Sequence, residues 1–82
     1  MKAYDWSVYS KAYCEKIKCM DNSNNNQLKL YSAFNKAEWY DVYYIVYKNK
    51  VVMEYPNYNE AYHSFIGMLD LLKHLGEEGE LK

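Results

Sequence analysis

One stretch of the sequence, residues 40–55, restricts the possible folds more than any other. It reads YDVYYIVY, then Lys48 and Asn49, then KVVMEY, so two runs rich in β-branched and aromatic residues are separated by only two residues. Both runs have the composition of strands, and asparagine readily adopts the left-handed conformation that a two-residue turn needs. The sequence therefore predicts strands over 40–47 and 50–55, joined as a tight antiparallel hairpin.

The residues before the hairpin show a period of two. Leu28, Leu30 and Phe34 alternate with more polar neighbours, as expected of a strand with one buried face. This alternation predicts a strand over 27–35, followed by a short connection to the hairpin.

The N-terminal part of the chain shows helical periodicity instead. At about 100° per residue, five large side chains fall on one arc. These are Trp6, Tyr9, Tyr13, Ile17 and Met20. They predict an amphipathic helix over 5–20, and the run of turn-forming residues at 21–26 is expected to end it.

Residues 58–75 are predicted to form a second helix. Apolar residues between Ala61 and Leu75 recur at spacings of three and four. Asn57 or Asn59 can cap its start, because an asparagine side chain accepts hydrogen bonds from the first backbone N–H groups of a helix.

The order of these elements predicts the fold class. A helix, three strands and a second helix give a single α+β domain over residues 1–82, with a three-stranded antiparallel sheet. Both helices are expected to pack on one face of this sheet. The other face is then left uncovered.

The uncovered face is the predicted partner-binding surface. In a hairpin that turns at Lys48 and Asn49, an apolar centre on this face is flanked by tyrosines and rimmed by charge, which is typical of a contact site. The residues expected to bind a partner are Tyr31, Tyr43, Ile45, Tyr47, Lys50, Val52 and Glu54. Alternatively, the N-terminal segment covers this face, the strands simply tolerate tyrosines there, or the face joins two copies of the chain.

The expected hairpin register assigns the side chains to the two faces. Three cross-strand pairs belong to the core face and three to the uncovered face. The core pairs are Val46 with Val51, Tyr44 with Met53, and Val42 with Tyr55; the outer pairs are Tyr47 with Lys50, Ile45 with Val52, and Tyr43 with Glu54.

Charge counts against direct binding to duplex nucleic acid. The chain has ten lysines, no arginine and eleven acidic residues, whereas duplex binders usually have a basic excess and use arginine for bidentate contacts. No apolar stretch reaches the roughly 18 residues that span a bilayer, and the N-terminus lacks a signal-peptide core. We therefore expect a cytoplasmic protein that does not enter membranes.

The usual signatures of metal, cofactor or catalytic sites are missing from the sequence. Cys14 and Cys19 match neither a zinc-binding nor a redox spacing and are expected to be reduced structural thiols. His63 and His74 would lie about 16 Å apart along a helix, too far to share a metal ion. The sequence therefore predicts a protein without enzymatic activity, metal or cofactor.

The predicted order of helix, three strands and helix resembles the double-stranded-RNA-binding domain. That family carries a lysine cluster at the start of its second helix, whereas residues 57–61 here read NYNEA. The resemblance therefore implies the topology and not the RNA-binding function. As an alternative function, Lys11, Lys16 and Lys18 would contact nucleic acid from the first helix.

In size and character the chain also resembles the small anti-defence proteins of phages, anti-CRISPR inhibitors among them. Ten lysines without arginine, beside eight asparagines and eleven tyrosines, are what an AT-rich coding sequence favours. The resemblance implies a non-enzymatic inhibitor that docks on a host protein or nucleoprotein complex, such as a CRISPR effector, and blocks it sterically. A structural homo-oligomer is the remaining alternative.

Overall fold

The computed structural model describes residues 4–75. In this part of the chain, five strands form one antiparallel sheet in the order β1-β5-β4-β3-β2, together with two helices. The α+β class is confirmed, but the predicted three-stranded sheet is wrong. The elements are β1 Tyr4–Asp5, α1 Trp6–Tyr13, β2 Cys14–Asn22, β3 Leu28–Asn35, β4 Tyr40–Tyr47, β5 Lys50–Tyr55 and α2 Tyr58–His74.

The hairpin of β4 and β5 is confirmed with its predicted bounds. Lys48 and Asn49 have φ angles of 49° and 66°, so both turn residues adopt the left-handed conformation of a type I′ turn. This turn twists in the same sense as the strands it joins. The strand over 27–35 and the helix over 58–75 are also found, within one residue at each end. Of the two predicted caps, it is Asn57 that accepts a hydrogen bond from the backbone N–H of Glu60 at 2.9 Å.

The register of the hairpin differs from the prediction by a β-bulge. The two pairs next to the turn are as expected, and then one extra residue, Val52, lies on β5. Val52 and Met53 consequently both pack on the α2 side of the sheet. The predicted pairs beyond this point are wrong by one position. The observed pairs are Tyr47 with Lys50, Val46 with Val51, Ile45 with Met53, Tyr44 with Glu54, and Tyr43 with Tyr55.

The predicted helix over 5–20 is wrong beyond Tyr13. Residues 14–22 instead form β2, which pairs along the edge of β3. The end of α1 is held in place because the backbone C=O of Tyr13 accepts a hydrogen bond from the N–H of Lys36 at 2.7 Å. In β2 only Cys14 is buried, so the strand has no alternation of polarity that would distinguish it from a helix.

The two helices lie on opposite faces of the sheet, so the prediction of both on one face is wrong. The neighbouring β4 residues Tyr44 and Ile45 point to opposite faces, and both side chains are 0% exposed. Tyr44 packs in the cluster that includes Trp6 of α1, and Ile45 in the cluster that includes Phe65 of α2. The nearly continuous apolar run in β4 is typical of a strand that is covered on both faces.

Candidate binding groove beside the first helix

The predicted partner-binding surface lies beneath α2. Ile45 is fully buried, and Tyr43, Tyr47 and Val52 are half-buried in the cluster around Phe65. The sheet face that was expected to be open is therefore part of the core. The error follows from the position of the second helix, which the sequence periodicity leaves undetermined.

The other three predicted site residues do not join this cluster. Tyr31 lies on the α1 face, where its ring stacks on Trp6 with centroids 4.8 Å apart. Glu54 accepts a hydrogen bond from the hydroxyl of Tyr4. Lys50 is exposed beside the hairpin turn. The seven residues thus do not form one surface.

An open groove of ≈ 570 Å³ is formed by β1, α1, the turn at 36–39 and β5. Its walls combine tyrosine rings with carboxylates and small apolar side chains. The lining residues are Tyr4, Asp5, Val8, Tyr9, Ala12, Tyr13, Glu38 and Glu54. A concave surface that mixes aromatic and charged groups is the usual setting of a binding site.

Three tyrosines form a ladder of rings along the groove. The ring centroids of Tyr4 and Tyr9 lie 4.7 Å apart, and those of Tyr9 and Tyr13 lie 5.0 Å apart. These separations are in the range of favourable aromatic pairs. The outer end of the ladder is accessible, since Tyr13 is 46% exposed, and Val8, which also lines the groove, is 69% exposed.

A buried hydrogen-bond network beneath the groove fixes its walls. The amide nitrogen Nδ2 of Asn35 donates to the hydroxyls of Tyr9 at 2.7 Å and Tyr44 at 2.9 Å. Its Oδ1 accepts from the backbone N–H groups of Ala37 and Glu38, each at 2.9 Å. The amide thereby uses both donors and both lone pairs, and it links α1 to the turn that carries Glu38.

Burial favours the protonated forms of three groups in and below the groove, namely Tyr4, Cys14 and Tyr44. Burial, with the hydrogen bond to Glu54, raises the pKa of Tyr4 above its usual value. Burial likewise raises the pKa of Tyr44 and of the Cys14 thiol, whose Sγ lies 3.8 Å from the Tyr44 hydroxyl. The phenol of Tyr4 therefore stays protonated at neutral pH and can donate its hydrogen bond to Glu54.

The charge of the groove has one sign. Asp5, Glu38 and Glu54 line it, and among residues 4–75 no lysine or histidine does. Asp5 is held in place by its role as N-cap of α1, where Oδ1 accepts from the backbone N–H of Val8 at 2.9 Å. Its Oδ2 accepts from the side chain of Asn49 at 3.2 Å. The partners of Asp5 and Glu54 are neutral groups, and within residues 4–75 none of the three carboxylates forms an ion pair.

Two smaller clefts lie elsewhere. One of ≈ 170 Å³ is apolar, lies between the hairpin and the end of α2, and is lined by residues that include Leu28, Met68 and Leu71. The other, of ≈ 200 Å³, is more polar and is lined by residues that include Trp6 and Lys29. Neither has an aromatic ladder with exposed rings.

The three lysines that were predicted to contact nucleic acid in the alternative function are exposed, but they lie on two different elements. Lys11 is on α1, and Lys16 and Lys18 are on β2. With β1 before α1 and β2 directly after it, the observed element order differs from the helix, three strands, helix order on which the resemblance to the double-stranded-RNA-binding domain rested.

Within the part of the chain that the structure describes, no three histidine, cysteine or acidic side chains are grouped so that they could hold a metal ion. The helices of residues 4–75 are all too short or too polar to cross a membrane. Comparison with known proteins finds no matching family model, no similar curated protein and no similar solved structure.

The groove residues were missed because their elements were assigned differently. The helical periodicity predicts Tyr9 and Tyr13 on the buried arc of a longer helix. The two-residue strand β1, which contains Tyr4, has no sequence pattern of its own. The spacing of four between Tyr9 and Tyr13 does predict that the two rings are neighbours on a helix. Their exposure depends on where α1 ends.

Proposed function

We propose that this protein is a non-enzymatic binding protein that docks on a larger protein or nucleoprotein complex through the groove beside α1. The observation that carries the proposal is the ladder of Tyr4, Tyr9 and Tyr13, whose outer ring, Tyr13, is exposed while its middle ring, Tyr9, is fixed by Asn35. Bound in this way, the protein would block the surface that its partner needs for another interaction.

The ladder has the properties of a preorganised contact surface. Tyrosine has few rotatable bonds, and here the ring of Tyr9 is held by its neighbours and by a hydrogen bond at its hydroxyl. Ordered aromatic side chains lose little conformational entropy on binding, which leaves more of the contact energy for affinity. The exposed Val8 adds apolar area to the same groove.

The size and composition of the chain favour an inhibitor of the phage anti-defence type, acting in the cytoplasm of the host cell. Such an inhibitor needs only a stable scaffold and one well-formed docking surface. A CRISPR effector is one partner of the kind that this proposal includes.

Site-specific crosslinking tests the proposal. A photoreactive phenylalanine analogue replaces Tyr13 in one protein and Leu71 in another, and each is irradiated in lysate of a low-GC bacterium. Leu71 is exposed on α2 and does not line the groove. We expect a discrete host protein to be crosslinked from position 13 and not from position 71. Equal crosslinking from both positions would contradict docking through the groove.

The crosslinked partner is then purified and its affinity is measured with matched variants. Val8→Ala with Tyr13→Ala removes the exposed contact area without burying a polar group, and we expect affinity to fall by about tenfold or more, since exposed hot-spot side chains often contribute 1–2 kcal/mol each. Leu71→Ala, at an exposed position on α2, is the control and should leave the affinity unchanged.

A further inference from the structure

We infer that the groove binds a positively charged segment of its partner, with an arginine side chain as the anchor. The inference rests on the proposed docking through this groove and adds the chemistry of the occupant.

Charge complementarity is the first argument. Three carboxylates, those of Asp5, Glu38 and Glu54, line the groove, although the whole chain has a net charge of only −1. Negative charge is thus concentrated at this surface. A concave site lined by one sign of charge attracts ligands of the opposite sign and speeds their association.

Two of the three carboxylates are positioned by neutral partners. Glu54 accepts from the hydroxyl of Tyr4, and Asp5 accepts from a backbone N–H and from the amide of Asn49. These hydrogen bonds hold the oxygens in place without neutralising them. A cation that enters the groove therefore meets oriented charges, and it does not have to displace any lysine of residues 4–75.

The aromatic lining favours arginine over other cations. A guanidinium group is planar, stacks on tyrosine rings and donates hydrogen bonds to carboxylates in a fixed geometry. The groove offers both features together, because the rings of Tyr9 and Tyr13 line it together with the carboxylates of Glu38 and Asp5. A lysine side chain would be attracted to the carboxylates, but it has no planar group that could stack on the tyrosine rings.

Among the residues that the structure describes, no basic side chain lines the groove. Lys36 acts electrostatically on the buried thiol of Cys14, and Lys11 is in the last turn of α1, but neither lines the groove. The same charge pattern repels the phosphate backbone of a nucleic acid. We therefore expect a protein segment as the occupant.

Titration of the full chain with short blocked peptides tests the inference. Three hexapeptides differ only at one central residue, which is arginine, citrulline or glutamate, and binding is followed by the backbone amide signals of the ¹⁵N-labelled protein. We expect the arginine peptide to shift the signals of Val8, Ala12 and Glu38. The citrulline peptide has the same shape without the charge and should bind about tenfold more weakly, as loss of a charge-assisted hydrogen bond of about 1.4 kcal/mol implies.

Glu38→Gln isolates the electrostatic contribution. Glu38 is exposed and its side chain has no structural role in the network, so the variant is expected to fold normally. It should weaken binding of the arginine peptide by about two- to fivefold, as expected for one exposed charge pair. Glu60→Gln makes the same change on the exposed start of α2 and should have no effect. Equal binding of the arginine and citrulline peptides, or shifts confined to residues outside the groove, would overturn the inference.

The two proposals fail separately. If a host protein is crosslinked from position 13 but the arginine peptide does not bind and Glu38→Gln leaves the affinity for that partner unchanged, docking stands and the arginine anchor is refuted. If no host protein is crosslinked from position 13 while the arginine peptide binds, docking on a host protein is refuted and the cation site remains.

Discussion

The side-chain amide of Asn35 on β3 donates a hydrogen bond of 2.9 Å to the hydroxyl of Tyr44 on β4, and both residues are almost completely buried. The same amide binds the hydroxyl of Tyr9 on α1. One polar side chain therefore connects the sheet, the first helix and the β3–β4 turn. The candidate binding groove lies directly above this connection, so its shape depends on the integrity of the network.

Asn35→Ala is expected to lower the free energy of unfolding by about 2–4 kcal/mol, because several buried polar groups lose their partners at once. Urea denaturation followed by tryptophan fluorescence measures the change. Asn24→Ala, at an exposed position in the β2–β3 turn, is the control and should change stability by less than about 0.5 kcal/mol. Similar effects of the two substitutions would mean that the network does not stabilise the fold.

Stability is expected to fall at alkaline pH. Partial burial and the hydrogen bond to Asp21 raise the pKa of Tyr58 from 10.0 to about 12, and burial raises the pKa of Tyr4 and Tyr44 in the same direction. Above pH 10 these phenols ionise more readily in the unfolded chain than in the folded protein, so each increase in pH favours unfolding. For Tyr58 the stabilisation is complete below its unfolded pKa and is lost as the pH rises through about 12.

Urea denaturation at several pH values between about 8 and 11, chosen around the usual tyrosine pKa of about 10, measures this loss. Tyr58→Phe cannot ionise and should show a shallower decline of stability with pH than the original protein. A decline of identical slope in both proteins would contradict the assignment to Tyr58.

The hairpin turn offers a stabilising substitution. Lys48 has a φ angle of 49°, a conformation that glycine adopts without the strain caused by a Cβ atom. Lys48→Gly is expected to raise the free energy of unfolding by about 0.5 kcal/mol, after allowing for the greater flexibility of glycine in the unfolded chain. Thermal denaturation measures the effect, and a clear loss of stability would be inconsistent with the type I′ turn.

The sheet face beneath α2 behaves as core in this structure. Ile45→Ala is therefore expected to cost about 2–4 kcal/mol, the usual range for truncating a fully buried isoleucine. Trp39→Ala removes a larger but exposed side chain and should cost less than about 1 kcal/mol. If Ile45→Ala were as mild as Trp39→Ala, the face would be open, as the sequence alone predicted.

Those parts of the fold that bury a regular pattern of side chains could be predicted from the sequence. Strand β3, the hairpin and α2 each leave a periodic apolar pattern, and the turn residues Lys48 and Asn49 mark where the hairpin reverses. No sequence pattern indicates the bulge at Val52, because valine at both position 51 and position 52 is compatible with either register.

The first quarter of the chain could not be predicted in the same way. Strand β2 lies at the edge of the sheet with residues 15–20 exposed, so tertiary pairing with β3 determines its conformation rather than any pattern of burial. The groove depends on this segment, since a helix that continued past Tyr13 would not leave the ring ladder at an open surface. The candidate site was therefore beyond what periodicity could indicate.

The groove exists only if α1 and α2 cover opposite faces of the sheet, and nuclear Overhauser contacts between aromatic and methyl protons test this most directly. We predict contacts from the Trp6 ring to Tyr31 and Tyr44, and from the Phe65 ring to the methyl groups of Ile45 and Leu30. Contacts from both Trp6 and Phe65 to Ile45 would place the two helices on one face. That result would contradict the fold and remove the proposed binding groove.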